Sequence, residues 1–386
     1  MTKRLAIVST HPIQYNVPFF IKLAELHELR VKVFYTYNPQ LQEHFDREFG
    51  KPIQWDIPLD EGYDFKFIEN TSSKPGTSHR RGVINPGLIQ AIESFLPDFI
   101  LVYGWNYESH WRCIKYFSGK VPILFRGDST DIDSISLWKN VLRNIYLKWV
   151  YRHIDYALYC GSANKDYFKH HGLNDSQLVS VPHAVDNTRF ENEPTDFRDQ
   201  WDIPRSAIVI LFAGKYIQKK SPDSLLETFL KLENLLDSDT YIVFVGDGAL
   251  RPKLLEMSQR SDKVRIQGFF NQSQMPAVYN TCDIFCLPST GPGETWGLAV
   301  NEAMAAGKSI LVSDRVGCAH DLIRNGENGY IFSPSVKEDL LTKLTLMVAD
   351  KKKLIEMGSV SKEKIKNWSY QIGIDNLSQL LSSLKK

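Results

Sequence analysis

Short apolar runs alternate with helical patterns along most of the chain, and this alternation limits the fold more than any other feature. The apolar runs of the first half lie at residues 5–9, 31–37, 99–103, 123–126 and 156–159. A second series lies at residues 208–213, 240–245, 264–267, 284–287 and 310–312. Strands that alternate with helices form mostly parallel sheets with helices on both faces. The sequence therefore predicts an α/β protein with two doubly wound, Rossmann-like domains.

Residues 191–205 interrupt this alternation and are predicted to be a linker, because the segment is charged and contains two prolines. Two domains are also the natural expectation for 386 residues. The predicted domains therefore span residues 1–190 and 206–367.

Composition excludes several classes of function. The formal net charge of +1 gives no field that would attract nucleic acid, so no nucleic-acid partner is expected. The five cysteines form no Cys-x-x-Cys pair, and no apolar run approaches the roughly 20 residues that span a bilayer. The start of the chain is too short and too charged for a signal peptide. We therefore expect a cytoplasmic protein with reduced thiols.

Residues 291–307 combine a glycine-rich loop, two carboxylates and a helical segment. Glu294 lies in the loop and Glu302 in the predicted helix 298–306. Two carboxylates at this reach can bind two hydroxyl-bearing groups joined by a diphosphate, such as the ribose and the sugar of a nucleotide sugar. The alternative is that Glu302 is an ordinary surface residue. Backbone N–H groups at the helix start favour an anion or a hydroxyl oxygen; they belong to Thr295, Trp296 and Gly297.

Two lysines follow the first predicted strand of the second domain. The segment after this strand begins at Gly214, with Lys215 next to it and Lys220 just before a helix. Both ammonium groups can neutralise a diphosphate. The alternative is that they are solvated loop lysines.

The run Glu294-Thr-Trp-Gly-Leu-Ala-Val-Asn-Glu302-Ala-Met-Ala-Ala-Gly307 resembles the signature of family 4 (group 1) retaining glycosyltransferases. The resemblance continues through residues 309–313 and 326–329 and covers about forty residues. It implies the GT-B fold, in which two Rossmann-like domains face a cleft and a C-terminal helix, here within 368–386, crosses back to the N-terminal domain. The N-terminal domain of such a protein binds the acceptor, and the second domain binds the nucleotide-sugar donor.

The resemblance also implies roles for single residues. Glu294 would bond hydroxyls of the transferred sugar, and Glu302 the ribose diol. Lys220 matches the lysine of the family pattern, whereas Lys215 stands where arginine is usual and lacks its bidentate fork. The segment 266–269, with Gly268, would hold the nucleotide base through its main chain. Gly246-Asp-Gly248 resembles the family's turn and is interpreted as a tight turn.

The first domain departs from the family pattern. The loop after its first strand carries His11 and Tyr15 where many relatives have two glycines. Arg126 follows a later strand and either binds acceptor or phosphate or pairs with Asp128. His183 and the following alanine replace the usual Asn-Gly. His11 and Arg126 are the predicted catalytic residues on this side.

Two further segments each allow two interpretations. Asp131-Ile-Asp133 spells a pair that binds a divalent metal in the other major glycosyltransferase fold, but it lies in the acceptor half. We therefore predict no metal site and a metal-independent reaction. Residues 137–154 form an amphipathic helix with a basic face, which either packs on the core or docks on a membrane.

The sequence thus predicts a bacterial, retaining glycosyltransferase that uses a nucleotide-diphosphate sugar and no further cofactor. Its acceptor would be a glycan or a lipid-linked molecule in cell-surface polysaccharide synthesis, for capsule or lipopolysaccharide. Its location would be cytoplasmic, with peripheral contact at the inner face of the membrane as an alternative. A nucleotide-sugar epimerase or phosphorylase on the same fold, and a non-catalytic membrane-surface scaffold, are the competing interpretations.

Overall fold

The computed structural model describes residues 2–38, 45–46, 51–52, 55–133, 137–235 and 239–384. The chain divides into two compact domains. The first consists of Met1–His44, Ile57–Pro182 and Tyr370–Lys386, and the second consists of Phe45–Asp56 and His183–Ser369.

The first domain is built on a seven-stranded parallel sheet in the order β5-β2-β1-β6-β7-β8-β9. Its strands are β1 Lys3–Ser9, β2 Leu29–Tyr35, β5 Phe65–Phe67, β6 Phe99–Tyr103, β7 Ile123–Arg126, β8 Tyr156–Tyr159 and β9 Leu178–Ser180; the intervening pair β3 Phe45–Asp46 and β4 Lys51–Pro52 belongs to the second domain. Its helices are α1 Val17–Ala24, α2 Leu88–Phe95, α3 Glu108–Phe117, α4 Leu137–Tyr151 and α5 Ser162–His170. All four residues of β7 are buried, as expected for a parallel strand covered on both faces.

The second domain is built on a six-stranded parallel sheet in the order β12-β11-β10-β13-β14-β15. Its strands are β10 Ile208–Ala213, β11 Thr240–Val245, β12 Val264–Gln267, β13 Ile284–Leu287, β14 Ser309–Ser313 and β15 Gly329–Phe332. Its helices are α6 Asn187–Glu191, α7 Pro222–Leu235, α8 Arg251–Ser258, α9 Met275–Thr281, α10 Leu298–Ala305, α11 Ala319–Leu322, α12 Asp339–Val348 and α13 Lys351–Ile365. The α/β class and the two doubly wound domains predicted from the alternation are confirmed.

The last helix, α14 Tyr370–Ser383, returns to the first domain, as the resemblance implied. The Asn376 side chain donates to the carbonyl of Ser180 at 2.9 Å, just at the end of β9. At Gly373 an added Cβ would lie 3.0 Å from a methyl group of Val181, so a glycine lets the helix approach closely.

The segment 191–205, predicted to be a linker, packs into the second domain. The guanidinium of Arg198 lies 2.8 Å from the carboxylate of Asp283, and its other nitrogens donate to backbone carbonyls. The rings of Phe197 and Trp201 stack with centroids 4.9 Å apart. A charged segment can therefore belong to a domain when its charges are paired and its aromatic side chains pack on each other.

Candidate functional site

The strand order of the second domain identifies where a ligand would bind. Strands β11 and β12 lie on one side of β10, whereas β13, β14 and β15 continue on the other. The order therefore reverses between β10 and β13, and open α/β sheets bind ligands outside the carboxyl ends of the strands at such a point. The loops that follow these two strands carry Lys220 and Glu294.

Lys220 and Glu294, far apart in sequence, form an ion pair. The Nζ of Lys220 lies 2.8 Å from Oε2 of Glu294, and the side chains are 17% and 10% exposed. Ser289 also donates to the same carboxylate oxygen, at 3.1 Å. A carboxylate and an ammonium that are mostly withdrawn from water interact strongly with hydroxyl and phosphate groups that reach them.

Backbone hydrogen bonds hold these two loops together. The N–H of Thr290 donates to the carbonyl of Lys219 at 2.8 Å, and the hydroxyls of Ser221 and Thr290 lie 3.0 Å apart. Lys220 itself ends a short 3-10 turn, Gln218–Lys220. The ammonium group therefore projects from a fixed loop, which limits the entropy lost when it binds a ligand.

The turns after β10 and β11 pack against each other so closely that glycine is required. Gly246 has a φ of +145°, and a Cβ added there would lie 1.9 Å from the carbonyl oxygen of Gly214. The N–H of Gly246 donates to the carbonyl of Gly268, at 3.1 Å, which ties the segment after β12 to the same edge. The interpretation of 246–248 as a tight turn agrees with this geometry, and the glycines let three loops meet at one edge of the sheet.

Lys215 lies between these turns as a partly buried residue. The next residue, Tyr216, is fully buried, and its N–H donates to the carbonyl of Asp247 at 2.8 Å. Its hydroxyl donates to the carbonyl of Gln267 at 3.0 Å, and burial raises its pKa well above the ordinary value. Tyr216 therefore fixes the backbone beside Lys215 to the segment that is expected to hold the base.

The loop before α10 ends at Gly297, which caps the helix with a φ of +94°. An added Cβ at this position would lie 2.8 Å from Val316 and 3.1 Å from Leu287, so the close packing also requires glycine. The helix begins at Leu298, so the N–H groups of its first turn belong to residues from Leu298 onward. Thr295 and Trp296 instead lie in the loop before the helix, where their carbonyls face the backbone of residues 317 and 318.

Glu302 is buried inside α10, with only 3% of the residue exposed. The hydroxyl of Tyr279, on the neighbouring helix α9, donates to its Oε2 at 2.7 Å. The alternative interpretation of Glu302 as a surface residue is therefore excluded. A buried carboxylate needs hydrogen-bond donors, and Tyr279 supplies one of them.

The side chain of Trp296 is part of the packing of this loop. It is 4% exposed, and its indole N–H donates to the amide oxygen of Asn301 at 2.9 Å. Asn301 in turn donates to the carbonyl of His183 at 2.9 Å. The ring centroids of Trp296 and Trp368 lie 5.1 Å apart. His183 thus holds the loop through its backbone, which explains why a residue other than asparagine is accepted there.

Three supporting residues were missed from the sequence: Ser289, Tyr279 and Asn301. Ser289 is the second residue after β13, and polar residues just past a buried strand are a usable signal. Asn301 precedes Glu302 within an otherwise apolar helix, where a polar residue needs a partner. Tyr279 gives no signal, because its contact with Glu302 joins two helices that only the folded structure brings together.

In the first domain the strand order reverses between β1 and β6. His11 follows β1, and its ring meets the ring of Tyr37 edge-on at 6.3 Å. Arg126 is the last residue of β7, is only 8% exposed, and donates through NH1 to the carbonyls of Leu158 and Val181. Its guanidinium therefore links β7 to β8 and to the residue after β9.

Helix α4 carries an exposed apolar face. Trp138, Leu142 and Ile145 are each about 60% exposed, while Leu147 and Val150 on the opposite side are buried. One side of this helix therefore packs on the core, and the other side presents apolar side chains outward. Within the ranges given above, no helix is long and apolar enough to cross a membrane.

Comparison with known proteins identifies the second domain. Residues 194–364 match the family model for "Glycosyl transferases group 1". A sulfoquinovosyl transferase of Arabidopsis thaliana is 27% identical over 233 residues, covering 58% of this chain and 44% of the plant protein. A lipopolysaccharide 1,2-N-acetylglucosaminetransferase of Salmonella typhimurium is 28% identical over 185 residues, covering 45% and 48%. This chain thus spans about half the length of these curated relatives.

Solved structures extend the similarity to both domains. The crystal structure of Anabaena Alr3699/HepE in complex with UDP and glucose has a TM-score of 0.70 at 16% identity and covers 99% of this chain and 100% of its own. The structure of WaaG, a glycosyltransferase involved in lipopolysaccharide biosynthesis, has a TM-score of 0.67 at 14% identity and covers 98% and 100%. The two domains have the fold of GT-B glycosyltransferases, and residues 194–364 of the second domain match the group 1 glycosyltransferase family model.

Proposed function

We propose that this protein is a retaining glycosyltransferase that moves a sugar from a nucleotide-diphosphate sugar to a glycan or lipid-linked acceptor. The observation that carries the proposal is the contact between Lys220 and Glu294 at the strand-order reversal of the second domain. This contact brings a phosphate-binding cation and a hydroxyl-binding carboxylate together at the edge of the sheet where ligands bind.

Each charged group has a separate role in holding the donor. Lys220 and Lys215 bind the diphosphate, whose charge grows as the bond to the sugar breaks. When the donor binds, the carboxylate of Glu294 releases the ammonium group of Lys220 and accepts hydrogen bonds from hydroxyls of the transferred sugar. Glu302 accepts hydrogen bonds from the ribose diol, with Tyr279 fixing its position.

The reaction we propose needs no metal and no further cofactor. The acceptor hydroxyl oxygen forms a bond to the anomeric carbon on the face from which the diphosphate leaves, and the bond between that carbon and the diphosphate oxygen breaks. The acceptor proton passes to the departing diphosphate. The anomeric configuration is thereby retained, and the protein contributes positioning and charge stabilisation.

The acceptor side is proposed from the names of relatives and from the first domain. One similar protein acts on lipopolysaccharide, and another, 27% identical over 157 residues, is a phosphatidyl-myo-inositol mannosyltransferase of Mycobacterium tuberculosis. A cavity of about 580 Å³ in the first domain is lined by Lys74, Arg81 and Arg112, and by Glu108, which pairs with Arg112. The excess of positive charge suits an acidic acceptor.

Helix α4 supports a peripheral membrane contact at the inner face of the membrane, in a bacterial cytoplasm. Its exposed residues Trp138, Leu142 and Ile145 would enter the interface between water and acyl chains, while Lys148 and Arg152 would meet anionic lipid. In this arrangement a lipid-linked acceptor would reach the enzyme from the membrane, as synthesis of cell-surface polysaccharide such as capsule or lipopolysaccharide requires.

The test is a donor screen followed by a transfer assay. The melting temperature of the purified protein is measured with UDP, GDP or ADP. The nucleotide that raises it identifies the nucleotide part of the donor. Transfer from the matching nucleotide sugars is then measured for the wild type, Glu294→Ala and Lys231→Ala. Lys231 serves as the control because it is exposed and its ammonium group pairs with an exposed glutamate on its own helix.

We expect Glu294→Ala to lose activity about 100-fold or more and Lys231→Ala to keep it. Full activity in Glu294→Ala would overturn the site. An epimerised donor formed without acceptor would favour an epimerase on the same fold. Failure to bind any of the three nucleotides would favour a non-catalytic scaffold.

A further inference from the structure

Asp131, His170 and His171 lie together in the first domain, and none of them is assigned to the donor. Asp131 belongs to the segment after β7, His170 is the last residue of α5, and His171 follows it. One potential metal-ligand atom from each of the three lies within 4.8 Å of the others. Oδ2 of Asp131 is 2.8 Å from Nδ1 of His170, and its Oδ1 is 3.9 Å from Nε2 of His171.

His171 is the residue that points to a ligand. Its side chain has no exposed surface, and its Nδ1 donates to the amide oxygen of Asn144 at 3.1 Å. The ring proton therefore sits on Nδ1, so that Nε2 carries a lone pair. Within the part of the chain that the structure describes, this Nε2 has no hydrogen-bond partner. A buried acceptor without a donor costs free energy unless something else binds it.

The imidazole of His171 is held in place by the rings beside it. Its ring stacks on the ring of His170 at 4.7 Å and meets the ring of Tyr167 edge-on at 4.4 Å. A neutral imidazole with a fixed ring is the form that binds a transition metal, and a hydrogen bond from its second nitrogen orients it.

We propose that Asp131, His170 and His171 bind one divalent transition-metal ion, for which Zn²⁺ is the reference. Two imidazole nitrogens and one carboxylate oxygen are a usual set for this ion, with water in the fourth position. His170 takes part as the tautomer with its proton on Nε2, which leaves Nδ1 for the metal. Asp131 and His170 are 36% and 45% exposed, so both can move the short distance that metal bonds of about 2.1 Å require.

The positive charge of Arg143 disfavours a cation at this site. Its NH1 lies 3.9 Å from Oδ1 of Asp131, and its NH2 donates to the hydroxyl of Tyr167 at 3.1 Å. A metal ion would replace Arg143 as the partner of the Asp131 carboxylate. Arg143 would keep its contact with Tyr167, where the guanidinium lies 5.2 Å from the ring centroid. The nearby positive charge lowers the affinity for the ion but does not fill the position beside Nε2 of His171.

The ion would tie three segments of the first domain together. It would join the segment after β7 to the end of α5, and through Asn144 it would reach α4, the helix with the exposed apolar face. The role is structural, since the donor residues all belong to the second domain. The sequence prediction named no metal ligands because it considered only the Asp131 and Asp133 pair, and the proposal is independent of the proposed function.

The experiment uses full-length, untagged protein from which metal has been removed. Zn²⁺ binding is measured by calorimetry, and Co²⁺ is added in parallel because its visible absorption reports nitrogen ligands. We expect about one ion per chain and a rise in melting temperature. The variants His170→Ala and Asp131→Asn change exposed side chains and should fold; we expect each to weaken binding about 10- to 100-fold.

The matched control is His27→Ala, which removes another exposed histidine of the first domain. It should bind Zn²⁺ as the wild type does. Equal affinity in the control, His170→Ala and Asp131→Asn would mean an adventitious ion only and would overturn the proposal. Absence of any Co²⁺ absorption with the wild type would overturn it as well.

Discussion

The two domains share one architecture but use the reversal of strand order differently. In the second domain the loops at this point carry Lys220 and Glu294, and the turn at Gly246 packs so closely against Gly214 that only glycine fits. In the first domain the buried Arg126 of the neighbouring strand donates to backbone carbonyls, and His11 contacts an aromatic ring. A charged residue at a strand end is therefore available to a ligand only when its charge is not already bound to backbone.

The largest effect is expected at the pair in the second domain. Lys220→Met and Glu294→Gln should each lower kcat/KM about 100- to 1,000-fold, because each removes a group that holds the donor. The double variant should lose much less than the product of the two, since both groups act on one ligand. Transfer kinetics on all four proteins measure this coupling. Fully multiplicative losses would mean that the two residues act separately.

The glycine turn beneath the pair gives the next largest effect. A Cβ at position 246 would meet the backbone oxygen of Gly214, which cannot move aside alone, so Gly246→Ala should destabilise the second domain by about 3 kcal/mol and weaken nucleotide binding. Gly268→Ala is the matched control for stability, because nothing lies within 4 Å of its added Cβ. Denaturant unfolding measures both variants, and nucleotide titration measures Gly246→Ala against the wild type. Equal behaviour of the two variants would contradict the packing argument.

Arg126 tests the first domain. Arg126→Ala leaves two buried carbonyls without their donor and should cost about 2–3 kcal/mol of unfolding free energy. The affinity for nucleotide should remain unchanged, because the donor residues lie in the second domain. Burial raises the pKa of Tyr103 to about 12, and Arg126 partly offsets that rise. A variant that keeps its stability but loses transfer to acceptor would instead make Arg126 a binding residue.

The sequence predicted much of the fold because buried parallel strands are continuous apolar runs that stand out from the helices between them. From the two parallel sheets it missed β5, β9 and β15, which are short and only partly buried. It treated residues 191–205 as a linker because the pairing of Arg198 with Asp283 cannot be recognised from the local sequence. In the candidate site, Lys220 and Glu294 were predicted from their match to the family pattern. Their contact, and those of Glu302 with Tyr279 and of His171 with Asn144, join segments far apart in the chain and required the structure.

A pH effect should arise from the first domain. His110 is completely buried; its Nδ1 donates to the carbonyl of Tyr103, and its Nε2 accepts from Thr36. Burial lowers its pKa to about 4, so between about pH 6.5 and pH 4 the unfolded chain binds the proton and the folded chain does not. Stability is therefore complete above about pH 6.5 and should fall by about 2 kcal/mol on going from pH 7 to pH 5.

Urea unfolding of the wild type and His110→Gln at the two pH values measures this effect. The variant starts less stable but should lose less on acidification, because its amide does not titrate. The pKa of His171 is also lowered by burial, so this residue contributes to the fall of the unfolding free energy with pH in both proteins. The variant therefore keeps part of the pH dependence of the wild type. Identical slopes for the two proteins would show that His110 is charged in the folded state.

The smallest effect is expected at the exposed face of α4. Trp138→Ala and Ile145→Ala should each reduce binding to vesicles of anionic phospholipid several-fold, since each removes exposed apolar surface that would enter the membrane interface. Exposed Leu235→Ala, in the second domain, is the control for general apolar stickiness. Co-sedimentation with vesicles measures all three, and transfer to a soluble acceptor should stay constant. Equal loss in the control would remove α4 as the membrane contact and leave its apolar face to another partner.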